Sequence, residues 1–254
     1  MRIVSLAPSN TEILYALGVE DQVVAVTRFC DWPLEAKNKV QIGGWINTDA
    51  ERLKELAPDL ILTSYFMPEP LREWTGPGKL LHVEPKNLWD VFESIRTIGE
   101  AVGAPERAEA IVARMKDGFA RLEPTAPKRA VRVYMEEWME PPMASGNWVP
   151  ELVAIAGGEE VLAEVGQASH DFPLAALTVA DPDLIVCHWC GWGERTDNKR
   201  IVERPGWQDI RAIRDKQVYF VHDSLLNRPG PRLLEGALIL QRLFNSVVAN
   251  TKVP

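Results

Sequence analysis

The chain has little of what several common classes of protein require. Its 254 residues include only three Cys and four His, and an odd number of thiols argues against a disulfide framework. The formal net charge is −8 and basic residues form no stripe, so a nucleic acid has no electrostatic support as a partner. No apolar run approaches the ~20 residues of a membrane span. We therefore expect a protein that is not membrane-embedded and that binds a small molecule or another protein.

Targeting and catalytic signals are also missing. The apolar run at residues 3–6 is too short for a secretory signal. As written, the sequence predicts a cytoplasmic protein, or an extracytoplasmic one (periplasmic or surface-tethered) if a leader was removed. No nucleophile elbow, phosphate-binding loop or dinucleotide fingerprint follows a strand-like run. The acidic residues form no convincing acid–base pair, so we expect a binding protein and not an enzyme.

What the chain does contain is an internal repeat. Residues 53–64 read LKELAPDLILTS and residues 177–188 read LTVADPDLIVCH, which aligns Asp59 with Asp183 at an offset of 124 (183 − 59). In both copies an amphipathic run ends at Pro-Asp and enters a wholly apolar run, which is typical of a helix that leads into a buried parallel strand. The repeat predicts an α/β protein of two similar lobes, each with buried parallel strands.

One long helix is predicted to join the lobes. We assign residues 1–103 to the first lobe, 104–124 to a bridging helix and 125–254 to the second lobe. A helix of about 18 residues spans ~27 Å, so it can hold two lobes apart rigidly, with little closure. Ligands often bind in clefts between domains.

Two helix starts are predicted from capping residues. Ser9 or Asn10 is expected to cap the first helix, and Thr48 or Asp49 the helix at residues 50–56.

The loops after strand-like runs are rich in aromatic residues, and open parallel sheets place ligands at this end of their strands. The pattern favours a flat-walled apolar site for a large ligand, and the alternative is that several of these rings pack as ordinary core. The residues are Phe29, Trp32, Trp45, Tyr65, Phe66, Trp138, Trp148, Phe172, Trp189 and Trp192.

The few thiols and imidazoles leave alternatives open. Cys187 and Cys190 have a C-x-x-C spacing that can bind zinc or exchange disulfides, although Cys187 ends an apolar run and is expected to point into a core. A zinc site would need ligands from Cys30, His170 or His222. His170 and His188 are candidate axial ligands of a metal-bearing cofactor, or ordinary hydrogen-bonded side chains. Arg228, in a Pro-rich loop, can orient an anionic or amide-rich ligand.

These residues also carry a family resemblance, which covers nearly the whole chain. The sequence resembles the cobalamin-binding, periplasmic-type substrate-binding proteins of bacterial ABC importers, in the class III helical-backbone metal receptor family that also binds ferric siderophores and haem. The matching segments are RIVSLAPSNTE at 2–12, CDWP at 30–33, APDLI at 57–61, SGNWVPE at 145–151, AGG at 156–158, DPDLIV at 181–186, CGWG at 190–193 and NRPGPR at 227–232.

The resemblance implies two Rossmann-like lobes with central parallel sheets, joined by a single long helix. It also implies positions for the ligand contacts. Pro8, Phe29, Trp45 and Arg228 stand where relatives contact cobalamin, and Phe172 falls near another aromatic contact. Two positions depart from the pattern, because Met143 and Ser64 stand where aromatic residues are expected, although Tyr65 is adjacent to Ser64. His188 and Trp189, at the end of the second copy of the repeat, are added to these positions. The predicted ligand-binding set is Pro8, Phe29, Trp45, Tyr65, Phe172, His188, Trp189 and Arg228.

The resemblance also implies a transporter contact. Relatives dock through one exposed Glu per lobe; Glu51 matches the first, while the second falls near Ala175, which is not acidic. The predicted partners are cobalamin or another metal chelate and possibly an ABC importer permease, and we expect a monomer.

The resulting prediction is a binding protein for cobalamin or a related corrinoid, with no permanently bound cofactor. The alternatives are a ferric-siderophore or haem binder, a cytoplasmic corrinoid carrier, and a metal-handling protein that uses Cys30, Cys187, His188 and Cys190. Siderophores usually need several cations, and Arg228 and Arg28 are the only clear candidates, which disfavours a ferric siderophore as the ligand.

Overall fold

The computed structural model describes residues 1–44, 47–122 and 130–250. Trp45, and the last two residues of the predicted bridging helix, 123–124, therefore lie outside the described residues. The chain divides into two compact units: the first comprises Met1–Pro85 and Trp89–Met115, and the second comprises Lys86–Leu88 and the chain from Lys116 onwards.

The first unit is built on a five-stranded parallel sheet with the strand order β3-β2-β1-β4-β5. Its central strands are wholly buried, because apolar residues on both faces are covered by helices. The strands are β1 (Ile3–Ser5), β2 (Val23–Val26), β3 (Val40–Gln41), β4 (Leu60–Ser64) and β5 (Lys79–Val83).

Of the two capping predictions for this unit, one is confirmed and one is wrong. The carboxylate of Asp49 accepts a hydrogen bond from Arg52 N at 3.0 Å, so Asp49 is the predicted cap. The prediction of a Ser9 or Asn10 cap is wrong, because the first helix already begins at Pro8, whose fixed φ suits the first helical position. The helices are α1 (Pro8–Ala16), α2 (Ala50–Glu55), α3 (Leu88–Ala101) and α4 (Pro105–Ala120).

Helix α4 carries the chain from one unit into the other, since Met115 belongs to the first and Lys116 to the second. Ala108, Ile111, Val112, Met115 and Phe119 form its buried side. The predicted fold class, two α/β units with parallel sheets and a linking helix, is confirmed. Nowhere in the described chain does a helix combine the length and apolar character needed to cross a membrane.

The second unit contains a six-stranded sheet that departs from the purely parallel prediction. Its order is β11-β10-β6-β7-β9, with β8 also paired to β6. The long strand β6 pairs in parallel with β8 along its first half and antiparallel with β7 along its second half. The strands are β6 (Val131–Met139), β7 (Pro142–Ala144), β8 (Gly158–Glu160), β9 (His170–Asp171), β10 (Leu184–Cys187) and β11 (Val218–Phe220).

The helices of the second unit are mostly short. Only the last is long, and its apolar positions Leu233, Ala237, Leu240, Phe244 and Val247 are buried, as their spacing predicts. The helices are α5 (Val149–Ile155), α6 (Leu174–Ala180), α7 (Asn198–Val202), α8 (Arg211–Arg214) and α9 (Leu233–Asn250).

The internal repeat is reproduced at the level of single hydrogen bonds. The carboxylate of Asp59 accepts from Arg2 N at 2.7 Å, and that of Asp183 accepts from Arg132 N at 2.9 Å. The guanidinium of Arg2 donates to Leu56 O and that of Arg132 to Ala180 O. In each unit one Arg–Asp pair thus fastens the start of the central strand to the helix–strand turn beside it.

Candidate functional site

In the first unit, three predicted site residues follow strand ends on the same edge of the sheet. Pro8 comes shortly after β1, Phe29 after β2 and Tyr65 directly after β4. Because these strands are parallel, their carboxyl ends meet at one edge, which is where open α/β sheets bind ligands. Trp45 follows β3 in the sequence and lies outside the described residues.

Phe29 presents an open aromatic surface on this edge. Its side chain is 46% exposed, and the guanidinium carbon of Arg28 lies 4.9 Å from the ring centroid. Trp32, three residues on, is 43% exposed. Burying such rings against a ligand is favourable, so their exposure makes them ready contacts.

Tyr65 is more constrained than Phe29. Its backbone is left-handed, with φ of 61°, and its hydroxyl donates to Pro85 O. The hydroxyl is therefore already occupied, which leaves the half-buried ring as the part that a ligand can contact. Ser64, at a position where the resemblance implies an aromatic residue, is buried.

In the second unit, His188 follows β10 and is tied to the segment after β11. Its Nδ1 donates to Asn227 Oδ1 at 2.5 Å, and Asn227 Nδ2 donates back to His188 O at 3.0 Å. Burial lowers the pKa of His188 and keeps the ring neutral. Its Nε2 is buried without a hydrogen-bond partner in the described part of the chain. The side chain is 1% exposed, so it presents almost no surface to a ligand.

Trp189 is a correction to the predicted site. Its ring is buried in the core of the second unit, where it packs edge-on against Trp192 and Phe220. Its indole N–H donates to Glu136 Oε1 at 2.8 Å. With every face covered, Trp189 has no surface to offer a ligand, and we remove it from the contact set.

The partner of Trp189 reveals a polar centre that the sequence did not predict. Glu136 is fully buried and forms a two-point ion pair with Arg204, at 2.5 and 2.8 Å. The hydroxyl of Tyr134 donates to the same carboxylate. Burial raises the pKa of Glu136, and the Arg204 guanidinium opposes that shift. This cluster fastens the segment after β10 to β6.

The thiols do not form a reactive pair. Cys30 and Cys187 are buried and Cys190 is exposed. Burial raises the pKa of Cys187, and partial loss of water around the sulfur, together with the nearby carboxylates of Glu137 and Asp223, raises the pKa of Cys190 to about 11. Both thiols are therefore protonated at neutral pH. Within residues 1–44, 47–122 and 130–250, no group of three or more His, Cys, Asp and Glu side chains could hold a metal ion.

The remaining predicted contacts of the second unit lie partly open. Arg228 is half-buried and close enough to Cys190 to influence its thiol electrostatically. Phe172 is half-buried, with its ring 5.1 Å from that of Tyr134 in an edge-on contact. His170 is only partly covered.

The loop after His188 is held in a fixed shape by Asp223. The two carboxylate oxygens accept from Gly191 N and Gly193 N, each at 2.9 Å. Both glycines have positive φ, of 78° and 62°, which lets the backbone turn its amides toward one carboxylate. Trp192, between them, is half-buried and lies beneath the guanidinium of Arg195.

The two helices predicted to face a transporter differ. On α2, Glu51 is exposed and forms an ion pair of 2.8 Å with Lys54. On α6, Ala175 is exposed in a helix that has no charged residue.

Comparison with known proteins adds a family to this geometry. The model of the family described as "Periplasmic binding protein" matches residues 3–225. The chain belongs to that family. As a periplasmic binding protein, it is 30% identical to an uncharacterized ABC transporter substrate-binding lipoprotein, YvrC, of Bacillus subtilis, over 98% of this chain and 81% of the relative. It is 25% identical to the vitamin B12-binding protein of Photorhabdus laumondii, over 96% and 88%.

Solved structures show the same periplasmic binding protein fold. The apo form of the periplasmic heme-binding protein RhuT from Roseiflexus sp. RS-1 matches with a TM-score of 0.83 and 23% identity, over 97% of this chain and 98% of that one. The periplasmic vitamin B12-binding protein BtuF of Vibrio cholerae matches with a TM-score of 0.75 and 23% identity, over 97% of both chains. At this identity the likeness concerns the fold.

Proposed function

We propose that this protein binds cobalamin or a related corrinoid and delivers it to an ABC importer. The observation that carries the proposal is the open ring of Phe29 on the carboxyl edge of its sheet, where a broad macrocycle can be buried against it. The vitamin B12-binding relative in the comparison supports this choice of ligand. The protein is proposed to bind the ligand and release it chemically unchanged.

In this proposal, aromatic contact supplies most of the affinity. Phe29, Trp45 and the ring of Tyr65 would cover one part of the macrocycle, with Pro8 beside them. Burial of apolar surface contributes about 25 cal/mol per Å², part of which is offset by the entropy lost on association. Within the second unit, Arg228 and Phe172 are the proposed contacts for polar side groups and for an apolar surface of a ligand, respectively.

A haem is the second candidate ligand. It would use the same aromatic rings. The guanidinium of Arg195, which donates to two neutral backbone carbonyls, favours a ligand with acidic side groups. Corrinoids carry mainly amides, so a comparison of the two ligands separates the candidates.

We also propose Glu51 as a permease contact. It is exposed at the start of α2, and its ion pair with Lys54 lies on the surface, where such pairs contribute little and exchange partners readily. Delivery to a permease would place the protein outside the cytoplasm.

The test is a titration of the full chain with cyanocobalamin, followed by quenching of Trp fluorescence and by the absorption bands of the corrinoid. Phe29→Ala and Trp45→Ala should each weaken binding by ~1–3 kcal/mol, as for truncated aromatic anchors. Trp89→Ala is the comparison variant, because Trp89 is a 60% exposed ring on α3 that is not among the predicted contacts. No saturable binding of cyanocobalamin, or equal losses in all three variants, would refute the proposed site.

A further inference from the structure

Arg195 is held in place without neutralising its charge. Its Nε donates to Trp192 O at 3.0 Å and its Nη2 to Gly191 O at 2.9 Å, and its guanidinium carbon lies 4.9 Å from the centre of the Trp192 ring. These partners are two neutral carbonyl groups and an indole. The side chain is therefore oriented but keeps a full positive charge at the surface.

The free donors of Arg195 have a defined direction. A guanidinium has five N–H groups in a fixed plane, and the two hydrogen bonds use that of Nε and one of Nη2. Both N–H groups of Nη1 have no partner in the described part of the chain. Because Asp223 fixes the loop below, this donor edge is preorganised.

Two neighbouring arginines show what a neutralised guanidinium looks like here. Arg200 also lies over Trp192, at 5.7 Å, but it pairs with the carboxylate of Asp197 at 3.3 Å. Arg204 is nearly buried and pairs with Glu136. Of these three side chains, Arg195 is the one whose charge is left for a partner outside the loop.

We propose that Arg195 recognises an anionic oxygen at the periphery of the bound macrocycle. This inference rests on the proposed function, since the loop of Arg195 follows β10 at the carboxyl edge of its sheet, beside Cys190 and the predicted contact Arg228. A planar guanidinium fork suits a carboxylate or a phosphate oxygen. The anion has two possible sources: an acidic side chain on the ring itself, or the phosphodiester of a nucleotide tail.

Four probes distinguish these sources by titration of the full chain. Cyanocobalamin carries the phosphodiester and dicyanocobinamide lacks it, while haemin carries two carboxylates and its dimethyl ester has none. Arg195→Gln should weaken binding of the anionic member of at least one pair by about 5- to 20-fold, as expected for a lost charge-assisted contact. It should leave the matched neutral member within about 2-fold.

Arg200→Gln serves as the control. It also removes a guanidinium that lies over Trp192, but the charge of this guanidinium is already paired with Asp197. It should change none of the four affinities by more than about 2-fold. Arg195→Lys, which keeps the charge but not the fork, should fall between Gln and Arg. Unfolding in urea verifies that each variant is folded.

Two outcomes overturn the inference and are distinguishable. If the unaltered protein binds at least one anionic probe but Arg195→Gln weakens both members of each pair equally, or neither, then Arg195 does not read the anion. If the unaltered protein binds none of the four, the proposed function itself fails and the inference fails with it.

Discussion

The two units have the same backbone plan but satisfy it with different chemistry. In both units, an Asp that follows a Pro accepts a hydrogen bond from the backbone amide at the start of the central strand. The residue before that Pro is left-handed, with φ of 42° at Ala57 and 40° at Asp181. The first unit surrounds this plan with apolar side chains and buried hydroxyl groups, such as those of Ser5 and Thr11. The second adds buried charge, since Asp183 also pairs with Arg211 at 2.5 Å and Glu136 pairs with Arg204. The Pro-Asp turn and its hydrogen bond to the central strand are therefore common to both units, whereas the side chains around them differ.

Helices α2 and α6, which precede the two Pro-Asp turns, differ in the charge of their exposed side chains. On α2 the exposed side chains are charged and paired, as in Arg52–Glu55 at 2.7 Å. At the matching offset of 124 (179 − 55), Glu55 is replaced by Val179, which is 85% exposed. Helix α2 therefore carries paired surface charges, while α6 carries none and belongs to the unit whose buried carboxylates Asp183 and Glu136 form ion pairs.

The largest expected effect is on the buried ion pair. Arg204→Met should destabilise the protein by ~3–5 kcal/mol, because the carboxylate of Glu136 would stay buried without its partner. Arg52→Met in the first unit, which breaks an exposed pair, should cost at most about 0.5 kcal/mol. Denaturation in urea measures both. A similar cost for the two changes would remove the contrast between the units.

The next effect is a pH dependence from the second unit. Burial raises the pKa of Glu160 from 4.5 to about 8. The folded state then binds the proton more tightly than the unfolded state, so this contribution to stability is complete below pH ~4.5 and is lost as the pH rises towards ~8. Glu160→Gln should remove this part of the slope. Unfolding free energies at several pH values between 5 and 8 give the comparison, and parallel slopes for the two proteins would contradict it.

A smaller difference is expected between the two repeated aspartates. Asp183→Ala should cost ~2–3 kcal/mol, since it removes the acceptor of Arg132 N and leaves Arg211 with one carboxylate fewer. Asp59→Ala should cost only ~1 kcal/mol, because Asp59 is exposed and water can replace it. The urea midpoints at constant slope provide the measurement. If Asp59→Ala were the more costly change, the added charge would not be stabilising the second unit.

The smallest effect concerns Arg28, which lies over Phe29 as Arg195 lies over Trp192. Arg28→Gln should weaken cyanocobalamin binding by about 2- to 3-fold, through loss of a cation–π contact that holds the ring in place. The exposed Arg72, paired with Glu69 at 2.8 Å, supplies a control as Arg72→Gln, for which no change is expected. An effect as large as that of Phe29→Ala would instead make Arg28 a direct ligand contact.

The sequence predicted what depends on local pattern. The repeated Pro-Asp turns located both buried strands, and Asp49 was foreseen as a cap because its carboxylate can reach the free amides of the first turn. The rest depended on partners distant in the chain. Glu136 and Arg204 are 68 positions apart, so no short-range pattern joins them. An aromatic residue after a strand can face a ligand or the core, which is why Trp189 was misassigned.

Other misses have equally physical causes. The antiparallel strands β7 and β9 are three and two residues long, too short to show the alternation of a strand. Arg195 was not predicted as a site residue, and the signal that could have found it is the Trp at position 192, one tight turn earlier in a Gly-rich loop.

The repeated turn also provides a matched pair of internal reporters. The amides of Asp59 and Asp183 each donate to the carbonyl of the paired arginine at 2.8 Å, in the same backbone arrangement. Both amides lie in the sequence Pro-Asp-Leu, so their intrinsic exchange rates are similar. A difference in deuterium uptake between the two positions therefore reports how often each sheet opens. One spectrum could thus rank the opening of the two halves of the molecule, with and without a bound macrocycle.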